Sequence, residues 1–308
     1  PTTDQLTVAQ ARAQMEVSTR FLGRPPRVLR VEDRMIPGPA GEIPIRVVTP
    51  IGADSSSDPG PPPVLVYFHG GGWVVGDLSS HESLCRALAN ASGAIVVSVG
   101  YRLAPEHRFP AAAEDAYAAL AWFAEHATEV GGDPSRVAVC GDSAGGDLAA
   151  AAALMARDRG GPALVLQVLA FPVLGFDPEN ESYRLFAEGH YLTRGEMLWF
   201  WDQYVPDVND RRDPYAAPLE AAEVSGLAPA LVITAGHDVL RDEGEAYARR
   251  LAAAGVPTTL TRYPGMIHSF LRRYPFLNEG KRAVDEIATA LRRSFGLTGP
   301  SRGVDGGG

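Results

Sequence analysis

The pentapeptide Gly141-Asp142-Ser143-Ala144-Gly145 stands directly after the apolar run 136–140 and directly before an alanine-rich helical stretch at 146–157. This succession predicts a strand that turns sharply into a helix with a serine on the bend. Such a bend holds the serine in a strained backbone conformation, and only small residues two positions before and after it avoid collision. Gly141 and Gly145 meet that demand, and the hydroxyl of Ser143 is left exposed. An ordinary glycine turn would carry the same letters, but it would not need a strand before it and a helix after it.

The rest of the chain supplies the frame for such a turn. Residues 28–31 and 43–48 alternate as two strands joined by the turn-rich Pro37-Gly38-Pro39-Ala40-Gly41, an antiparallel hairpin. Six short apolar or β-branched runs follow, at 64–68, 94–99, 136–140, 164–170, 230–235 and 258–263, separated by helical patterns at 81–91, 110–128, 146–157, 242–254 and 279–295. This alternation predicts an α/β fold with a mostly parallel eight-stranded sheet flanked by helices. The polar, proline-rich segment 52–63 reads as an exposed loop, and the glycine-rich end 301–308 as disordered.

Two further helices fall outside that alternation. Residues 6–22 open with a capping box, Thr7 and Gln10, and put Val8, Ala11 and Met15 on one face. Between the fourth and fifth parallel strands lies an excursion, 171–229, too long for a simple crossover. Within it Thr193 and Glu196 form a second capping box, and Met197, Phe200, Trp201 and Tyr204 share an apolar face. A helix that merely pads the core would have the same face. The more specific expectation is a single domain, residues 1–308, with a helical cap made of about 1–25 and about 180–215.

Composition removes several function classes. The net charge of −9 and the absence of any long basic run argue against nucleic acid as a partner. Cys85 and Cys140 are the only cysteines and form no C-x-x-C pattern, so neither a structural zinc site nor a disulfide framework is expected. Residues 1–14 lack an apolar signal core and no window approaches the roughly 18 apolar residues of a membrane span. A cytoplasmic location without stable membrane insertion is expected, unless a leader has been removed.

A second motif, His69-Gly70-Gly71-Gly72-Trp73, follows the strand 64–68. Consecutive glycines let backbone amides approach a ligand unobstructed. Acyl transfer passes through a tetrahedral oxyanion that such amides stabilise, so Gly71, Gly72 and Ala144 are the expected donors of an oxyanion hole. His69 at the head of that loop is expected to brace it. A serine nucleophile also needs an imidazole to take its proton and a carboxylate to orient that imidazole. Where the serine sits on a strand-to-helix elbow, acid and then histidine come from later strand ends. Asp238, after the run 230–235, and His268, after 258–263, fit that order. Asp242 and Glu243 are rival acids, but they suit the first turn of the helix 242–254 better. His81, His107, His126, His190 and His237 do not follow the acid at a strand end.

Together these segments give the chain a specific likeness. Through His69-Gly70-Gly71-Gly72-Trp73, Tyr101-Arg102-Leu103-Ala104-Pro105-Glu106-His107, Gly141-Asp142-Ser143-Ala144-Gly145-Gly146 and the surroundings of Asp238 and His268, it resembles the bacterial hormone-sensitive-lipase family of carboxylesterases over nearly its whole length. The resemblance implies an α/β-hydrolase fold with a helical cap, no cofactor and no metal, and lipase-like hydrolysis of short to medium acyl esters. Val239 stands where that family usually has proline, and Ser269 where it usually has glycine, which bears on loop shape and substrate preference. Met197, Phe200 and Trp201 are the expected substrate contacts. An amidase or peptidase using the same triad, or a receptor of the same fold that has lost hydrolysis, are the alternatives. The strand 258–263 offers an edge for a homodimer, although a covered edge fits the pattern equally.

Overall fold

The computed structural model describes residues 2–53 and 60–298. The tail 301–308 and residues 54–59 of the loop expected over 52–63 lie outside the described residues.

One eight-stranded sheet runs through the molecule in the order β1-β2-β4-β3-β5-β6-β7-β8. The hairpin strands β1 (Arg30–Gly38) and β2 (Gly41–Thr49) are antiparallel, and β2 also runs antiparallel to β4 (Ile95–Val99). The others, β3 (Pro63–Phe68), β5 (Asp133–Asp142), β6 (Gln167–Ala170), β7 (Ala230–His237) and β8 (Thr258–Ile267), run parallel to β4. The first strand starts later and runs further than the expected 28–31. It lies at the edge of the sheet and buries only Ile36, so its polar residues hide the strand pattern and Pro37 costs no interior hydrogen bond.

Helices α2 (Glu82–Ser92), α3 (Ala111–His126), α4 (Ala144–Asp158), α7 (Arg241–Ala253) and α8 (Asn278–Ser294) cover both faces. Alternate residues of β3 show why both must be covered: Val64, Val66 and Phe68 enter the core beneath α3, α4 and α7, while Leu65 and Tyr67 enter the one beneath α2 and α8. A strand apolar on both sides reads as a continuous hydrophobic run, which is how it appears in the sequence.

Three helices stand apart from this wrapping: α1 (Val8–Thr19), the short α5 (Glu181–Leu185) and α6 (Arg194–Tyr204). Both expected capping boxes are present, at Thr7–Gln10 and Thr193–Glu196. The second does more than start a helix. While one oxygen of Glu196 accepts from the Thr193 amide at 2.9 Å, the other accepts from the amide of Thr3 at 2.9 Å, fastening the N-terminal segment to α6.

The strand order places the functional loops. Successive crossovers diverge to opposite sides of β3 and β5, and in open α/β sheets ligands bind beyond the strand ends at such a switch point. Pairing of Tyr67 with Cys140 and of Phe68 with Gly141 brings the segment starting at His69 alongside the one carrying Ser143.

Candidate active site

Ser143 sits between β5 and α4 with φ 57° and ψ −124°, a conformation that ordinary residues avoid. The flanking glycines are required by contact. A Cβ on Gly141 would lie 2.0 Å from the carbonyl oxygen of Gly145, and one on Gly145 would lie 2.0 Å from that of Phe68. The elbow is therefore pressed against itself and against β3.

Asp238 follows the last residue of β7 and His268 the last residue of β8. The structure brings both to Ser143. His268 Nε2 lies 2.9 Å from Ser143 Oγ, and His268 Nδ1 lies 2.7 Å from Asp238 Oδ2. With Nδ1–H donating to the carboxylate, Nε2 is left as the acceptor for the serine proton. The remaining carboxylate oxygen of Asp238 accepts from the Leu240 amide at 3.0 Å, and the ring of Phe171 meets that of His268 edge-on at 5.0 Å. All three polar groups are buried, Asp238 completely. The rival acids are engaged elsewhere: Asp242 accepts from the Ser182 amide and Glu243 from the Leu174 amide, each at 2.8 Å.

Among the described residues, the amides of Gly71, Gly72 and Ala144 donate to no protein acceptor. Ala144 is the first residue of α4, so its N–H belongs to the unsatisfied, electropositive end of a helix. Gly71 and Gly72 have φ of 129° and 57°, and a Cβ on Gly72 would lie 2.2 Å from Phe200 Cδ1 of α6. The glycine loop is thus sealed on one side by α6.

What holds this loop is a buried polar cluster that sequence reasoning missed. Asp142 Oδ1 accepts from the Gly70 amide at 3.0 Å and from the Tyr67 hydroxyl at 2.6 Å, and its Oδ2 faces His81 Nε2 at 3.2 Å. Burial opposes ionisation of Asp142, but His81 and Tyr67 outweigh it and keep the carboxyl below its ordinary range. His69 braces the loop as expected: Nδ1–H donates to the Gly70 carbonyl at 2.9 Å, and the ring stacks on Tyr101 at 4.3 Å. Burial, aided by His81, pushes the pKa of His69 down to about 4, which leaves it neutral at pH 7. At the loop's far end Trp73 Nε1 donates to Asp147 Oδ2 at 3.0 Å. The residues on either side of the serine elbow, 142 and 147, therefore fix both ends of the glycine loop. The only sequence signal for them was their position within and just beyond the pentapeptide.

Glu106 is bound by both terminal nitrogens of Arg12, at 2.8 and 2.7 Å, while Arg12 Nε donates to the Val74 carbonyl at 3.0 Å. The segment 101–107 thus anchors α1 beside the glycine loop.

A cavity of about 330 Å³ opens above Ser143 and His268. Met197 and Phe200 line it, together with Met15 of α1 and the half-exposed Tyr191. Trp201, expected as a substrate contact, is not on its wall: it is fully buried, packed 5.0 Å from Trp73 and 5.5 Å from Phe176. Its place on the helix turns it towards the glycine loop's anchor, a distinction that helical spacing alone does not make. His81, one of the histidines that did not fit the triad order, does line the cavity. Among the described residues no group of three or more His, Cys, Asp or Glu side chains is disposed to hold a metal ion, and no helix is long and apolar enough to cross a membrane.

Comparison with known proteins gives consistent likenesses. A family model described as alpha/beta hydrolase fold matches residues 65–272. The carboxylic ester hydrolase LipN of Mycobacterium tuberculosis is 45% identical over 291 residues, 92% of this chain and 76% of that relative. The carboxylesterase NlhH of the same species is 42% identical over 301 residues, 95% of this chain and 90% of its own. Among solved structures, a hyperthermophilic esterase from Pyrobaculum calidifontis superposes with a TM-score of 0.89 at 45% identity, covering 96% of this chain and 95% of that one.

Proposed function

The chain belongs to the alpha/beta hydrolase fold family, in its hormone-sensitive-lipase-like branch, and is a carboxylic ester hydrolase; from that premise we propose that Ser143, His268 and Asp238 carry out the hydrolysis through an acyl-enzyme intermediate. Ser143 Oγ attacks the ester carbonyl carbon as His268 Nε2 takes its proton. The C–O bond to the alcohol then breaks, and the imidazolium returns the proton to the departing alkoxide. Water, deprotonated by the same imidazole, attacks the acyl-serine ester; the bond from the acyl carbon to Ser143 Oγ breaks, the imidazolium returns the proton to Oγ, and the acid is released. Asp238 stays ionised and holds His268 in the tautomer and orientation both steps need.

The amides of Gly71, Gly72 and Ala144 receive the oxyanion in this scheme; removing one such donor elsewhere costs roughly 10²–10³ in turnover. Residues 1–25 and 180–215 act as a cap that excludes water and limits substrate size, Met197 and Phe200 contacting the acyl or alcohol part. Short to medium acyl chains are the preferred substrates. The edge of β8, where Leu260 is 39% and Ile267 38% exposed, is the surface on which two copies would pair, and sedimentation measures whether they do.

The single observation that carries the proposal is the unbroken contact from Ser143 Oγ through the His268 ring to Asp238, at 2.9 and 2.7 Å. Labelling with an organophosphate ester followed by peptide mapping tests it. Modification confined to Ser143, with Ser143→Ala losing on the order of 10⁴-fold or more in kcat/KM, is the expected result; label on another residue sinks the assignment.

A further inference from the structure

Arg272 lies in the turn after His268, is 5% exposed, and contributes to the wall of the cavity that holds Ser143. Its contacts are all to neutral groups: Nη1 to Met15 Sδ at 3.3 Å, and Nη2 to Thr19 Oγ1 at 3.3 Å and to the Ser80 carbonyl at 3.1 Å. Its Nε is buried with no hydrogen-bond partner. Among the described residues no carboxylate forms an ion pair with it, whereas the equally buried Arg211 has Asp202 at 2.6 Å.

The acidic groups in the same wall are already committed. Asp142 serves Gly70, Tyr67 and His81, and Glu196 holds the amides of Thr3 and Thr193. Next in sequence, Arg273 also lines the cavity: its Nη1 donates to the Ser269 carbonyl at 3.4 Å, its guanidinium lies 4.4 Å from the centre of the Tyr191 ring, and among the described residues no carboxylate pairs with it. In a chain with 37 acidic and 28 basic side chains, two unpaired guanidinium groups at one cavity stand against the general charge balance. The charge of Asp142 acts on Arg272 from beyond ion-pair distance, but every direct hydrogen bond of this desolvated cation goes to a neutral group, and an anionic group on a ligand supplies the contact it lacks. The contacts to α1 and to Ser80 hold the guanidinium in place beforehand, so little ordering is left for binding.

We propose that the cavity takes esters bearing a second, ionised carboxyl group, half-esters of dicarboxylic acids being the simplest, with Arg272 receiving that carboxylate and Arg273 reinforcing it from the outer side. The inference rests on hydrolysis at Ser143: the ester bond is cut as described above, and the pendant carboxylate passes through unchanged.

The test compares monoethyl glutarate with ethyl 5-methylhexanoate, a neutral ester of the same shape. The wild-type kcat/KM is expected to favour the half-ester by about tenfold or more at low salt, with the preference shrinking as ionic strength rises. Arg272→Met should lower the ratio of the two kcat/KM values by about ten- to a hundredfold, the range of a charge-assisted contact, and Arg272→Lys should recover part of it. A variant that loses both substrates equally, keeping the ratio, would make Arg272 a mere strut and overturn the proposal.

Should Arg272→Met fail to fold, inhibition of wild-type hydrolysis of the neutral ester by glutarate and by glutaramide decides the matter. Glutarate is expected to bind about tenfold more tightly or better, and equal or weaker binding refutes the idea. Hydrolysis of the neutral ester that survives Ser143→Ala would instead point to failure of the triad assignment, while hydrolysis that depends on Ser143 without charge preference would sink the present inference alone.

Discussion

At the scale of single residues, the buried histidine beside the glycine loop links packing to pH. His69 is held neutral, its pKa lowered from 6.5 to about 4 by burial first and by His81 second. A group whose folded pKa is depressed in this way binds protons more readily when unfolded. Its contribution to stability is therefore complete above pH 6.5 and is lost as pH falls from 6.5 towards 4, amounting at most to about 3 kcal/mol. Urea denaturation at pH 7 and pH 4.5 should show a marked loss in the wild type and a smaller one in His69→Gln; equal losses would mean that His69 does not titrate on unfolding as described. Asp142 acts on the same loop through the Gly70 amide. Asp142→Asn keeps the side chain's shape but removes its charge, and is expected to lower kcat about tenfold or more with little change in KM, since the oxyanion amides matter most at the transition state. A change confined to KM would contradict that role. Ser143, His268 and Asp238, which the fold brings within hydrogen-bond distance of one another, were legible in the sequence because a serine, an acid and a histidine at successive strand ends form a recognisable order. Asp142, His81 and Tyr67 were not, because a bracing role leaves no chemical signature and only proximity reveals it.

Among the elements, the contact between β3 and the serine elbow is the least forgiving. A methyl group on Gly145 would meet the backbone of Phe68 at 2.0 Å, and neither strand nor helix can move aside. Gly145→Ala should cost about 4 kcal/mol or more, or prevent folding, as seen by a lowered Tm and poor recovery; a stable, active variant would show that the elbow is looser than its geometry indicates. Elsewhere legibility followed burial. The inner strands and the covering helices were predictable within a few residues because one-sided or two-sided apolar patterns dictate them. The first hairpin strand was not, since an edge strand with both faces near solvent has little pattern to read. α5, only five residues long, escaped for a related reason: it is held by Asn180 capping Tyr183 and by Ser182 bonding the Val239 carbonyl at 2.6 Å rather than by a periodic apolar face.

Across the whole molecule, two segments far apart in sequence close over one site. α1 is tied down through Arg12 to Glu106, and the residues before it through Thr3 to Glu196. Arg12→Ala removes an ion pair that is partly exposed and so worth little by itself, but it also frees the Val74 and Ala104 carbonyls from their donor. Global stability should fall by about 1 kcal/mol, while proteolytic nicking near residue 20 rises; unchanged susceptibility would mean that α1 is held by packing alone. With Met15, Met197 and Phe200 enclosing a cavity of about 330 Å³, rates over a p-nitrophenyl acyl series should peak at short or medium chains and then decline, and a steady rise to long chains would contradict the limit set by this cover. The wall of that chamber includes Thr2 and Thr3 themselves. A peptide fused ahead of them would therefore start close to the chamber wall. An affinity tag placed at that end is expected to alter acyl-chain selectivity more than one attached after α8.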